Sequence, residues 1–224
     1  HMPRLNRIRT VYNAIDIFAF ARKFRRHDPI QARHVYGFLK DDFVLCVTAR
    51  LVKEKGQEYL LRAFAELLPS FPNLRLLIVG QGREDFNLKN LAKKFKLGET
   101  VCFTGSVRDV TRPLSACDVA VHSAIWQEAF GLSIVEAMVV GKPSIVTTSW
   151  ALYDSLKEEQ IALFVEPANI QQLAEAIKTL LQNPELCATM GQNAKKIARE
   201  RFSADRMARE IYEVYAELLQ TASQ

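Results

Sequence analysis

Two carboxylates and two cations are the residues of this sequence whose types and spacing could do chemistry. Glu128 and Glu136 bracket the stretch EAFGLSIVE, while Arg50 and Lys55 stand in TARLVKEKG. The spacing of Leu132, Val135, Met138 and Val139 predicts a helix that begins near Gly131 and stops at Gly141 and Pro143. Glu128 then lies in the loop before the helix, and Glu136 lies inside it by about 7–8 Å at 1.5 Å per residue. The helix start offers unpaired N–H groups and a partial positive charge, which suits a phosphate. Gly131 would let a ligand approach the backbone there. Carboxylates beside a phosphate are useful as acceptors from hydroxyl groups, so a ligand with a central diphosphate and a sugar at each end suits the pair. The plain alternative is that Glu128 is an acid favoured near a helix start and Glu136 a solvated helix residue.

The cations point the same way. Arg50 ends an apolar strand-like run, and Lys55-Gly56 comes just ahead of the next helix. A cation at a helix start is unfavourable, so two converging there suggest an anion between them, the alternative being surface cations in a lysine-rich turn. Gly80-Gln81-Gly82 is a tight turn that would admit a base or ribose, and Thr104–Val107 ends another strand where main-chain groups could read a base edge. His122 and Ser123 lack an Asp partner and a nucleophile elbow, so His122 reads as a hydrogen-bonded structural residue. No His or Cys pair has metal-ligand spacing and there is no Asp-x-Asp. A diphosphate would therefore rest on Arg50, Lys55 and the helix dipole, with no metal or other cofactor.

The elements that must position these residues alternate. Apolar runs at 43–49, 74–80, 101–105, 119–122, 144–148 and 162–167 read as six strands, separated by amphipathic helices, with further helices at 170–181, 184–200 and 204–219. Near-continuous apolar strands alternating with helices predict a doubly wound parallel sheet, in which ligands sit beyond the carboxyl ends of the strands. Each of the loops after the first four strands carries one or more of the residues singled out above.

Composition agrees with a soluble domain: 224 residues, 49% hydrophobic and 25% charged. The four cysteines lie far apart and read as reduced thiols of a cytoplasmic protein. Net charge is +5, with a basic excess in the first forty residues. A solvated face is one reading of it, and attraction to an acidic membrane surface a sharper one; no nucleic-acid motif accompanies it. Residues 1–2 read as a tag scar, 3–40 as a basic linker and crossover segment, 41–200 as the Rossmann-like domain, 201–219 as a crossover helix and 220–224 as a tail.

Together TARLVKEKG, LLIVGQG, VCFTGSVRDV, CDVAVHS, EAFGLSIVEAMVVGKP and PELCATMG resemble the C-terminal domain of family 4 glycosyltransferases, retaining enzymes of the GT-B fold. The likeness spans roughly residues 10–219, and TVYNAID is similar to that family's interdomain crossover. It implies a UDP- or GDP-sugar donor and an N-terminal acceptor domain outside this chain, with contact at the inner membrane face through the whole protein. It implies that Arg50 and Lys55 hold the diphosphate, that Glu128 with the main chain of Phe130, Gly131 and Leu132 holds donor sugar and phosphate, and that Glu136 accepts from ribose hydroxyls. Gly80, Gly82 and Val107 would line the nucleoside. Trp150 and Ala14 depart from the family pattern, and Trp150 would place a bulky ring near the donor sugar. A non-catalytic nucleotide-binding module on the same scaffold is the alternative. A dinucleotide oxidoreductase is disfavoured, because VTARLVKEKG stands where Gly-x-Gly-x-x-Gly belongs.

Overall fold

The computed structural model describes residues 8–222. Six strands, β1 (Phe43–Thr48), β2 (Leu74–Val79), β3 (Val101–Gly105), β4 (Val119–His122), β5 (Ser144–Thr147) and β6 (Ala162–Val165), form one parallel sheet in the order β3-β2-β1-β4-β5-β6. This is the expected doubly wound, Rossmann-like α/β architecture. The inner strands are apolar on consecutive residues because helices cover both faces: Val44, Leu45, Cys46 and Val47 of β1 are all buried. On one face α3 (Gln57–Leu67) packs against α8 (Ile170–Gln182). On the other, α6 (Leu132–Val139) packs against α9 (Pro184–Arg201), and α5 (Thr111–Ala116) lies beside them. Strand order reverses between β1 and β4, so their outgoing loops diverge and leave a crevice at the carboxyl edge.

The segment read as a linker through residue 40 is in large part domain. Two short helices, α1 (Ile17–Phe24) and α2 (Pro29–Val35), pack against α5 and, for α1, α6. Asp16 and Asp28 cap them by accepting from the N–H groups of Ala19 and Gln31. Ile17, Ala32 and Phe38 are buried, and Arg33 Nη2 donates to both carboxylate oxygens of Asp118, at 2.7 and 2.8 Å. The basic residues that suggested a linker mostly face outward, while few but well-spaced apolar residues face the core.

The chain enters and leaves this body at one clasp. The N–H of Ile15 donates to Phe202 O at 2.9 Å, and the N–H of Ala204 donates to Ile15 O at 3.1 Å. From there α10 (Ala204–Ala222) runs beyond the expected end at 219, with Ile211, Tyr215 and Leu218 of its apolar stripe exposed. The expected tag at 1–2 and the last two tail positions lie outside the described residues. Among those residues no helix is long and apolar enough to cross a membrane.

Candidate functional site

The loop after β1 rises as a tight turn, Lys53–Lys55, which ends at Gly56 in the left-handed conformation (φ +63°). A Cβ on Gly56 would run into the Ser123 carbonyl, so only glycine lets this loop lie against the loop after β4. Hydrogen bonds hold the two together: Ser123 Oγ to Lys55 O at 3.0 Å, and Ile125 N–H to Glu54 O at 2.9 Å. Buried Gln57 donates to Arg50 O at 2.9 Å and fixes where that residue leaves the strand.

Across the crevice stands Glu128. Lys55 Nζ and His122 Nε2 both meet the same oxygen, Oε2, the latter at 3.3 Å. The hydrogen bond with His122, outweighing partial burial and joined by Lys55, holds the Glu128 carboxyl down at about 2. Arg50, Lys55, Gly82, Arg83, Trp126 and Glu128 line an open cleft of about 740 Å³. Arg50 also borders a second hollow, of about 540 Å³, walled by Gly80, Ser106, Val107, Leu132 and Glu136. The sheet thus brings the expected cations and both glutamates to one rim. Glu136 is half-buried with its carboxyl pushed up to about 7 by desolvation, which removes the reading of it as a solvated helix residue.

Trp150 does not occupy this cleft. Its ring is 2% exposed, and its Nε1–H donates to Phe130 O at 2.7 Å. The backbone around it clamps Glu128: the Glu128 N–H donates to Ser149 O at 3.0 Å, and the Ala151 N–H to Glu128 O at 2.9 Å. The bulky ring expected near the donor sugar is instead the anchor under the loop that carries Glu128. An indole filling this space also explains Gly131. At φ +72° a Cβ there would meet Ile134 Cδ1 at 2.7 Å and Trp150 Nε1 at 3.2 Å, so the glycine serves packing and a left-handed helix cap. Gly80 and Gly82 likewise admit protein backbone, the carbonyls of Ala49 and Leu51, while still lining the cleft. Phe130 is buried, its ring edge-on to Phe202 with centroids 5.6 Å apart.

His122 is hydrogen-bonded, as expected; what the sequence left unread is its partner, Glu128, and the anchoring role of Trp150. His122 lies only six residues from Glu128, a usable signal. Nothing in the spacing joins Trp150 to Phe130, because the contact depends on β5 lying beside β4.

Residues 30–197 match the family described as glycosyl transferases group 1. A glycosyltransferase of Bacillus subtilis (strain 168), EpsD, is 32% identical over 197 residues, 87% of this chain and 51% of EpsD. A GDP-mannose-dependent phosphatidylinositol monomannoside mannosyltransferase of Corynebacterium glutamicum is 30% identical over 172 residues, 73% of this chain and 44% of that protein. The chain therefore spans about half the length of the curated relatives it matches. Among solved structures, Anabaena HepE in complex with UDP and glucose superposes with a TM-score of 0.79 at 26% identity, covering 96% of this chain and 58% of that one. By the sequence match over residues 30–197, the chain belongs to the glycosyl transferases group 1 family.

Proposed function

We propose that the chain is the donor-binding half of a retaining glycosyltransferase of the hexosyltransferase class. The observation that carries this reading is one rim, at the β1/β4 crevice, where Arg50 and Lys55 face Glu128 and where Arg50 joins that cleft to the hollow holding Glu136. A nucleoside diphosphate sugar matches that order of groups. The diphosphate lies by Arg50 and Lys55, and the ribose hydroxyls donate to Glu136. Val107 and its neighbours border the base, and Glu128 with the main chain at Phe130, Gly131 and Leu132 meets the sugar. Catalysis here is positioning plus stabilisation of charge on the departing nucleotide, by two cations and a helix start. That charge compensation needs no divalent ion.

Relatives named for polysaccharide or glycolipid chemistry support a lipid-linked or oligosaccharide acceptor in cell-envelope polysaccharide or lipopolysaccharide synthesis, at the cytoplasmic membrane face. The acceptor site and the rest of the cleft belong to an N-terminal domain in the longer protein. One relative is named for GDP-mannose and one neighbour holds UDP, so the base is left to experiment. Purified chain is titrated with UDP-, GDP- and ADP-sugars, with and without EDTA. One of them should bind in EDTA, without sugar transfer to added acceptor lipids or oligosaccharides. Binding that EDTA abolishes would refute the metal-free reading, and turnover at about 1 per second or faster would refute the half-enzyme reading.

A further inference from the structure

The contact between Lys55 and Glu128 conflicts with the role of either residue in binding. Lys55 is the cation nearest Glu128, and both line the cleft that the donor diphosphate enters. An ammonium drawn onto a diphosphate is no longer fully available to a carboxylate. Glu128 is only 19% exposed in its side chain, and a carboxylate in such a setting is costly to leave unpaired. His122 stands on the same oxygen at 3.3 Å and is 7% exposed. Its other nitrogen, Nδ1, is buried and has no hydrogen-bond partner among the described residues. His122 also lines a small, partly open hollow of about 10 Å³ with the hydroxyl-bearing residues Thr48, Ser133 and Ser144, about the size of one water.

Resting on the donor-binding reading above, we propose that His122 is a positioning residue that takes a proton from solvent as the donor binds. It then gives Glu128 an ionic partner in place of Lys55. The balance is simple: one proton moves from water to the imidazole, no bond to carbon changes, and the Lys55 charge passes from Glu128 to the diphosphate. Imidazole is the side chain suited to this exchange, because its charge changes near neutral pH. The charged and titratable groups around it are few. Lys55 comes from the loop after β1 and Glu128 from the loop after β4, and Cys46 of β1 borders the shared cavity. Arg50 and Glu136 line the neighbouring walls. Among the described residues, Glu128 is the one acid within ion-pair distance of His122. The low Glu128 value fits a carboxylate that stays ionised throughout.

The test reads His122 directly, because Glu136, with its carboxyl pushed up to about 7, would confuse a count of protons. With histidines at positions 1, 27, 34 and 122 only, the ring signals can be assigned by NMR and followed against pH. Saturation with whichever of UDP-glucose, GDP-mannose or ADP-glucose binds should raise the His122 midpoint by about one unit or more. In ligand-free Lys55→Met the midpoint should already sit near the bound value. In Glu128→Gln it should fall and no longer respond to donor. Donor binding that leaves the wild-type midpoint unmoved overturns the exchange alone. A rise that persists in Glu128→Gln also overturns it, because the diphosphate would then act on His122 without Glu128. If no nucleotide sugar binds at all, the donor-site reading fails together with it.

Discussion

Two glutamates eight positions apart, Glu128 before α6 and Glu136 within it, meet opposite treatment. Glu128 carries its partners with it, His122 and Lys55 on one oxygen, and its carboxyl is held at about 2. Glu136 has burial as its dominant influence, and its carboxyl is pushed up to about 7. A group already satisfied by protein is fixed in place and can only exchange partners. A half-buried acceptor that burial alone perturbs gains most from a ligand that brings its own hydroxyl donors. The contrast matches the proposed roles: Glu128 keeps the geometry of the sugar end, and Glu136 waits for the ribose.

The largest effect should come from removing the support under the Glu128 side. Trp150→Ala deletes a buried ring and its bond to Phe130 O, at about 3–5 kcal/mol of stability in chemical denaturation. A loss below about 1 kcal/mol would mean that the indole does not anchor the loop. Trp150→Phe, which removes the hydrogen bond and the outer part of the ring, should cost less.

Next in size is Lys55→Ala. Losing a charge-assisted hydrogen bond to the diphosphate should weaken nucleotide binding by roughly 1.5–3 kcal/mol, about 10- to 150-fold. Unchanged affinity in calorimetry would leave Lys55 as a structural partner of Glu128 only.

Glu136 should show itself through pH. Ribose hydroxyls favour its ionised form, so the affinity ratio of wild type to Glu136→Gln should rise about tenfold between pH 6 and pH 8. Taking the ratio cancels any titration at His122. The same substitution should penalise a nucleoside diphosphate more than its 2′,3′-dideoxy analogue, and equal penalties would refute the ribose role.

The smallest effect is on folding, and its sign differs between the two residues. Glu128 falls from 4.5 to about 2, so its stabilisation is complete above 4.5 and disappears as pH drops through about 2. Glu136 rises from 4.5 to about 7, so it is neutral in its effect below 4.5 and lowers stability as pH climbs toward and through 7. Each Gln variant should flatten its own window, by about 1 kcal/mol once solvent screening is allowed for. Denaturation midpoints followed across both windows check this, and slopes of the same sign would undo the comparison.

The sheet was legible because buried parallel strands leave an unbroken apolar trace, and the common rim of the candidate residues because most of them sit in short loops at strand ends. The rest was hidden for physical reasons. Residues 15–38 join the core through a few apolar side chains whose signal is masked by arginines on the outer surface. Trp150 lies 22 positions after Glu128, and only the pairing of β4 with β5 and the bridge between Glu128 and Trp150 makes them neighbours. Gly80 and Gly82 line the hollows at this rim, but the need for glycine there and at Gly131 comes from neighbouring protein atoms, which no spacing reveals. The hollow beside Glu136 is walled in part by Ser106, Val107 and Val110, contributed from beyond β3, which no local spacing reveals.

The clasp at Ile15 and Phe202 has a mechanical consequence. Its two backbone hydrogen bonds make one pivot for the incoming strand of chain and for α10, and Arg206 braces it by donating to Tyr12 O at 2.8 Å. Phe202 belongs to that pivot, and its ring bears edge-on against Phe130, whose carbonyl is held by Trp150. The chain entry, α10 and the turn before α6 are therefore joined by one unbroken series of contacts, backbone to ring to ring to indole, that bypasses the six strands.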